Sequence, residues 1–285
     1  MLIFSNIGTL NALMASKLSV GIIGLGSMGK CIFSGLLESG KFQANALGFT
    51  TRQAESASRA SKELGIKACA SNQELVSQCE TVILAVKPQN ILEVLEEIAP
   101  HIKPDQTILS IVASVPTASI EKHLGGKAAV IRAMPNTPAQ VREGITALSG
   151  GNNARDKDWD RATVIFEQLG KVVRVEEKHL DAVTGLSGCG PAFVYVILES
   201  FTDAGIKVGL SRELSTQLAA QTVLGAAKML METGRHPASL KDDVTTPAGC
   251  TIDGLMELEQ GRLRVTLVKA VVQAARRAAT LTGPV

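Results

Sequence analysis

Six residues near the start of the chain, Gly24-Leu25-Gly26-Ser27-Met28-Gly29, carry the spacing G-x-G-x-x-G. Each glycine answers a separate need. Gly24 permits a tight turn, Gly26 lets backbone approach a pyrophosphate, and Gly29 lets a helix pack close to a strand. The first N–H groups of that helix, from Ser27 onward, have no partner inside it and can hold an anion. The chemistry implied is dinucleotide binding; the alternative is a glycine-rich turn without a ligand. About twenty residues on, an acidic side chain would hold a free ribose 2′-hydroxyl. The chain has Phe49-Thr50-Thr51-Arg52 there, with no carboxylate. Two hydroxyls and a guanidinium suit a 2′-phosphate, which favours NADPH over NADH as cofactor. The alternative for Arg52 is the solvated start of a helix.

Two further loops combine small residues with a following helix: Leu186-Ser187-Gly188-Cys189-Gly190-Pro191-Ala192 and Thr245-Thr246-Pro247-Ala248-Gly249-Cys250-Thr251. Each offers free N–H groups to an anion. The second sets the Thr251 hydroxyl beside them, good chemistry for a substrate carboxylate, although Thr251 can equally cap a helix over Ile252–Leu258. Cys189 and Cys250 lie in these loops just before helical segments, where a thiolate is stabilised; inert small space-fillers are the alternative.

The elements that must position these residues alternate. Strands are expected over 18–23, 46–51, 66–70, 81–86, 107–112, 128–132, 144–148 and 171–175, with helices between, and Gly65 stopping the helix from Arg52. The alternation through residue 132 predicts a doubly wound parallel sheet, followed by the last two strands. Ligands in such sheets bind beyond the carboxyl ends of the strands. That singles out Gly24–Gly29, Val86-Lys87-Pro88, Ala113-Ser114-Val115 and the loop Met134-Pro135-Asn136-Thr137-Pro138. Lys87 either meets a nicotinamide ribose or is a solvated loop lysine. After Lys178 only helical patterns remain, and several, such as Leu214, Leu218, Val223, Leu224, Ala227, Leu230 and Met231, are apolar on more than one face. Helices apolar all round must be buried, and a separate domain this small would struggle to bury them alone. An oligomer interface is expected; a packed monomeric bundle is the alternative. The expected division is an N-terminal extension at 1–17, a dinucleotide-binding Rossmann domain at 18–176 and an all-α substrate and dimerisation domain at 177–285. Either Met1 or Met14 can be the start.

Hydrophobic residues make up 45% and charged ones 20%, with a net charge of +2. That is an ordinary globular balance. No basic block with interleaved aromatics points to nucleic acid. Residues 1–13 are too short and too interrupted to span a membrane. Five scattered cysteines suggest free thiols in a reducing, cytoplasmic compartment. The four histidines are dispersed, so no metal site is expected.

At several places the sequence resembles the pyrroline-5-carboxylate reductase family. That family's signature is similar to D-x-V-[ST]-[ST]-P-G-G-x-T-x-x-[AG]-[LIV], standing here at Asp243–Leu255 with the lead acid one residue from its usual place. Also similar are A-V-K-P at Ala85–Pro88, R-A-M-P-N-T-P at Arg132–Pro138, S-G-x-G-P-A-[FY] at Ser187–Phe193 and H-P-x-x-L-K-D at His236–Asp242. The match runs from about residue 18 to 281. Ala248 departs from the usual first glycine, and Cys189 from the usual serine. The resemblance implies hydride transfer from NAD(P)H to the C=N carbon of 1-pyrroline-5-carboxylate, giving L-proline. It places Thr251 near the ring nitrogen as the catalytic residue. The N–H groups of Gly249, Cys250 and Thr251 would meet the carboxylate, with Thr246 and Ser187 completing the substrate set. The expected cofactor residues are Gly24, Gly26, Ser27, Met28, Gly29, Thr50, Thr51, Arg52, Asn72, Ala85, Val86, Lys87, Pro88, Ala113 and Asn136. It also implies a homodimer interlocked through the C-terminal helices, open to further assembly.

Two rival functions carry their own marks. A 3-hydroxyacid dehydrogenase of the 6-phosphogluconate type also has G-L-G-x-M-G, but needs a catalytic lysine where this chain has Val194. A non-catalytic NADPH sensor would show a decayed substrate loop. Ala248 hints at one; Thr251 argues against it.

Overall fold

A computed structural model describes residues 20–281. The expected extension at 1–17, with Met14, lies outside the described residues. Eight strands form one sheet in the order β3-β2-β1-β4-β5-β6-β7-β8. They are β1 Val20–Ile23, β2 Leu47–Thr50, β3 Lys67–Ala68, β4 Thr81–Leu84, β5 Thr107–Ser110, β6 Ala129–Met134, β7 Gly144–Gly150 and β8 Gly170–Arg174. Between them run α1 Ser27–Glu38, α2 Ala54–Leu64, α3 Asn72–Gln78, α4 Ile91–Ile98, α5 Thr117–His123 and α6 Asp156–Phe166. Strands β1, β4 and β5 are buried at every position, as their unbroken apolar runs require when helices cover both faces. One core gathers Phe33, Phe49 and Phe166 around α1. The other packs α3, α4 and α5 through Leu75, Leu95 and Ile120. Gly65 ends α2 in the left-handed region, its N–H donating to Ser61 O.

Through β6 the sheet is parallel, as the alternation up to residue 132 predicts. Strands β6 and β7 pair antiparallel. Their connection is a tight 3-10 turn at Thr137–Val141. A parallel return needs a longer crossover, usually a helix, and none is present there.

The helical region contains α7 Leu180–Val183, a π-helical turn at Thr184–Gly188, α8 Gly190–Lys207, α9 Arg212–Thr233, α10 Pro237–Asp243, α11 Cys250–Gln260 and α12 Leu263–Thr280. Pro191 sits in the first turn of α8, where a missing N–H does no harm. Helix α10 was not legible from periodicity; Pro237 opens it and the His236 imidazole accepts from the Ala238 N–H. By contacts the chain divides into two units, one of Met1–Gly188 with Ala274–Val285 and one of Cys189–Gln273. The helical pattern thus begins, near 176, before the contacts divide.

Within the second unit α8 packs on α9. Of residues 190–273 only Thr202, Ser215 and Ala219 are buried. Tyr195 is 60%, Val196 61%, Leu224 58% and Met231 68% exposed. Within this unit a single chain gives these helices no closed core. Within Glu177–Lys207 an 18-residue window reaches a mean hydropathy of 1.4, long and apolar enough by length and composition to cross a membrane.

Two links tie loops of the first unit in place. Ser114 is buried in the left-handed region (φ 64°), and its hydroxyl donates to Ala278 O in the last turn of α12 at 3.0 Å. Glu177 accepts from the Thr117 N–H and hydroxyl, both at 2.7 Å, and from Arg132 at 2.9 Å. Burial pushes the Glu177 carboxyl up, but these bonds together outweigh it and hold it below its usual 4.5. The stabilisation is therefore full above that value and fades as pH falls through the lowered one. Glu177→Gln is expected to lower stability by about 1–3 kcal/mol at neutral pH, because Arg132 loses its partner. It should also flatten the acid limb of a melting-temperature profile; an unchanged acid limb would refute the assignment.

Candidate active site

The order of the central strands reverses between β1 and β4, and a crevice opens there beyond the strand ends. A cavity of about 610 Å³ occupies it. Of the expected cofactor residues, Gly24, Gly26, Thr50, Thr51, Arg52, Asn72, Ala85, Val86 and Lys87 line this one space. The glycine turn has the geometry its spacing predicts. Gly24 takes φ +90°, and a Cβ there would lie 2.7 Å from Val86 Cγ1. A Cβ on Gly29 would lie 3.2 Å from Gly24 O, so the helix does sit close on the strand. A Cβ on Gly26 would meet no protein atom within 4 Å and would fill only the cavity. Gly26 is the N-cap of α1 without a side-chain cap, so the N–H groups of Ser27, Met28 and Gly29 remain for an anion. These features fit a bound dinucleotide.

At the far end of the crevice the Thr50 hydroxyl donates to Asn72 Oδ1 at 2.6 Å, and Asn72 Nδ2 donates to Glu97 Oε2 at 2.6 Å. Thr50 is therefore engaged, and Thr51 and Arg52 are the groups left to meet a phosphate. Arg52 is exposed, with Nη2 3.6 Å from Glu93 Oε2. Sequence reasoning missed Glu93 and Glu97. Their signal was an i,i+4 carboxylate pair on the helix that follows β4, facing the strand ends. Lys87 is exposed and, among the described residues, makes no ion pair. Pro88 follows it at the first position of a 3-10 turn, and Ala113 stands in the Ser114 loop.

Asn136, outside the lining of this cavity, braces backbone on both sides. Its Oδ1 accepts from the Ile145 N–H at 2.9 Å and its Nδ2 donates to Ser187 O at 3.1 Å. Both ends of the amide hold backbone, so the side chain fixes the π-helical turn that carries Ser187. The Ser187 hydroxyl donates to Val183 O at 3.0 Å, so within this chain its proton is committed to backbone.

In the second unit the loop before α11 is closed by Gly249 N–H donating to Thr246 O at 3.1 Å. A Cβ on Gly249 would lie 2.3 Å from Thr246 Oγ1 and 3.2 Å from Thr246 O, so a larger residue would have to turn the Thr246 side chain away. In this structure the Gly249 N–H is engaged by the turn, and those of Cys250 and Thr251 are the free ones of the expected cradle. Helix α11 begins at Cys250 with Gly249 as N-cap and no side-chain cap. Thr251 is thus the second helical residue and not a cap. Ala248 lies in the left-handed region at φ 55°, where an L-residue costs about 1–2 kcal/mol. Cys250 is exposed and Cys189 half-buried. The cysteines outside these loops are held less acidic by burial, Cys79 up to about 12, with Cys31 and Cys69 moved the same way.

A doubly wound sheet, this glycine turn and a strand end without a carboxylate define a dinucleotide-dependent oxidoreductase. Residues 19–114 match the family described as NADP oxidoreductase, coenzyme F420-dependent, and residues 177–281 match pyrroline-5-carboxylate reductase dimerisation. Pyrroline-5-carboxylate reductase of Glycine max is 39% identical over 94% of this chain and 97% of that protein. The enzyme of that name from Methanosarcina acetivorans is 39% identical over 92% and 97%. Among solved structures, the Coxiella burnetii pyrroline-5-carboxylate reductase superposes with a TM-score of 0.86 at 33% identity, covering 94% of this chain and all of that one. The Plasmodium falciparum pyrroline carboxylate reductase, with NADP bound, gives 0.84 at 31%, covering 93% and 98%. The chain belongs to the pyrroline-5-carboxylate reductase family.

Proposed function

We propose that this chain reduces the C=N bond of 1-pyrroline-5-carboxylate to L-proline with NADPH, the closing step of proline biosynthesis, with NADH as a second donor. The observation that carries this reading is the loop at Thr246–Thr251. It offers the Cys250 and Thr251 N–H groups and the Thr251 hydroxyl side by side on one short turn. The N–H groups receive the substrate carboxylate, and the hydroxyl meets the ring nitrogen. The bound nicotinamide supplies the hydride. A protonated imine is already electrophilic, so the protein's task is alignment and needs no strong acid. The cavity residues Gly24, Gly26, Thr50, Thr51, Arg52, Asn72, Ala85, Val86 and Lys87 hold the dinucleotide. The 3-hydroxyacid reading lacks an amine at Val194. Adding NADPH and the imine to the protein and following loss of absorbance near 340 nm, roughly the reduced-nicotinamide band, tests the proposal. Turnover supports it; a stable signal at any substrate concentration rejects it.

The helical region from 177 onward acts as substrate and dimerisation domain, the Rossmann domain spanning 18–176. Its exposed apolar faces pair with those of a second copy, and the dimers are free to assemble further. The apolar stretch Glu177–Lys207 opens the segment that matches a dimerisation family, so we read it as interface and not as a membrane span. Exposed apolar surface on this scale marks an interaction site. Sedimentation at nanomolar protein is expected to give a dimer; an active, folded monomer would refute it. Five free cysteines suit a reducing compartment, and we place the enzyme in the cytoplasm.

A further inference from the structure

The phosphate end of the cavity carries a charge that the reaction does not use. Glu93, on α4, projects its carboxylate to 3.6 Å from the guanidinium of Arg52, and both residues line the cavity. One turn along, Glu97 is tied to Asn72; Glu93, among the described residues, has Arg52 as its only side-chain partner. We propose that Glu93 is a specificity-determining residue, a counter-charge that competes with the cofactor's 2′-phosphate for Arg52 and so holds the preference for NADPH over NADH below what Arg52 alone would give. The inference rests on the reading of Arg52 as the phosphate ligand.

The argument is electrostatic. A phosphate on Arg52 brings close to two negative charges beside a carboxylate already at van der Waals reach of the same guanidinium. Binding must break the ion pair or tolerate the repulsion. A cofactor with a bare 2′-hydroxyl does neither and leaves the pair intact. The side chains of Arg52 and Glu93 are 72% and 78% exposed, so water screens the effect to a modest factor. Modest is what a selectivity filter of this kind requires: it trims one cofactor without excluding it.

The test replaces Glu93 by its neutral isostere, Glu93→Gln, and measures dissociation constants by fluorescence and calorimetry. The probes are NADPH, NADH, adenosine 2′,5′-bisphosphate and ADP. The variant is expected to bind NADPH and adenosine 2′,5′-bisphosphate about three- to tenfold more tightly. NADH and ADP should change less than about twofold, and the gain should shrink as salt is raised. In an Arg52→Ala background the gain should shrink to the small part owed to direct repulsion between Glu93 and the phosphate. Equal tightening of all four ligands, or none for the phosphorylated pair, would overturn the proposal. Wild-type binding indifferent both to the 2′-phosphate and to Arg52→Ala would overturn the Arg52 reading and this one with it. A phosphate dependence through Arg52 that Glu93→Gln leaves unchanged would overturn this one alone.

Discussion

Thr251→Ala is expected to lower kcat for the imine by about 10²-fold or more, the scale of losing one well-placed donor or proton-transfer group. The fold leaves little room for a stability explanation of such a loss. Helix α11 starts at Cys250, capped by Gly249 without a side-chain bond, so Thr251 does no capping and its removal breaks no cap. Alanine is also the better helix former at that second position. The melting temperature should therefore stay level or rise slightly while turnover collapses, and Thr251→Ser should restore much of the rate. Normal turnover in the alanine variant would remove Thr251 from the reaction altogether.

Arg52→Ala is expected to raise the Michaelis constant for NADPH by about 10- to 100-fold, from the roughly 1.5–3 kcal/mol of a charge-assisted bond. NADH should be nearly unaffected, since it has no phosphate to lose. Thr51→Val should show the same selectivity at smaller size. Thr50 should not, because its hydroxyl already serves Asn72. Equal loss with both cofactors would mean that Arg52 supports the fold of the loop and not the phosphate.

The sheet was legible because its strands are written as unbroken apolar runs and its helices as spaced ones. Gly24, Gly26 and Gly29 could each be given a reason from spacing alone; the structure supplies a close contact behind Gly24 and Gly29, and open cavity at Gly26. What the sequence could not show was how polar side chains divide their bonds. Asn136 and Ser187 sit in motif positions, yet both turn inward to backbone, and nothing in their residue type distinguishes that from facing a ligand. The Gly249 N–H is likewise decided by a turn bond to Thr246, a matter of three-dimensional closure. The antiparallel β6–β7 pair escaped for a related reason. Strand direction depends on the path of the connection, and a strand reads the same in either direction. Ala248 could be seen as a departure from glycine, but only its φ of 55° gives the departure an energetic cost.

The bond from Ser114 to Ala278 spans 164 positions of chain, and the residues from Ala274 onward belong by contacts to the same unit as the sheet. Synthesis delivers these pieces far apart in time. The sheet and its covering helices emerge first and begin to fold as a nascent unit, while the helical turn that takes up the Ser114 hydroxyl is still untranslated. Until then the loop after β5 has a buried donor with no acceptor. A ribosome that stalls after Gln273 would leave the Rossmann unit formed but unlatched, a target for chaperone or protease. The residues made last complete the unit made first.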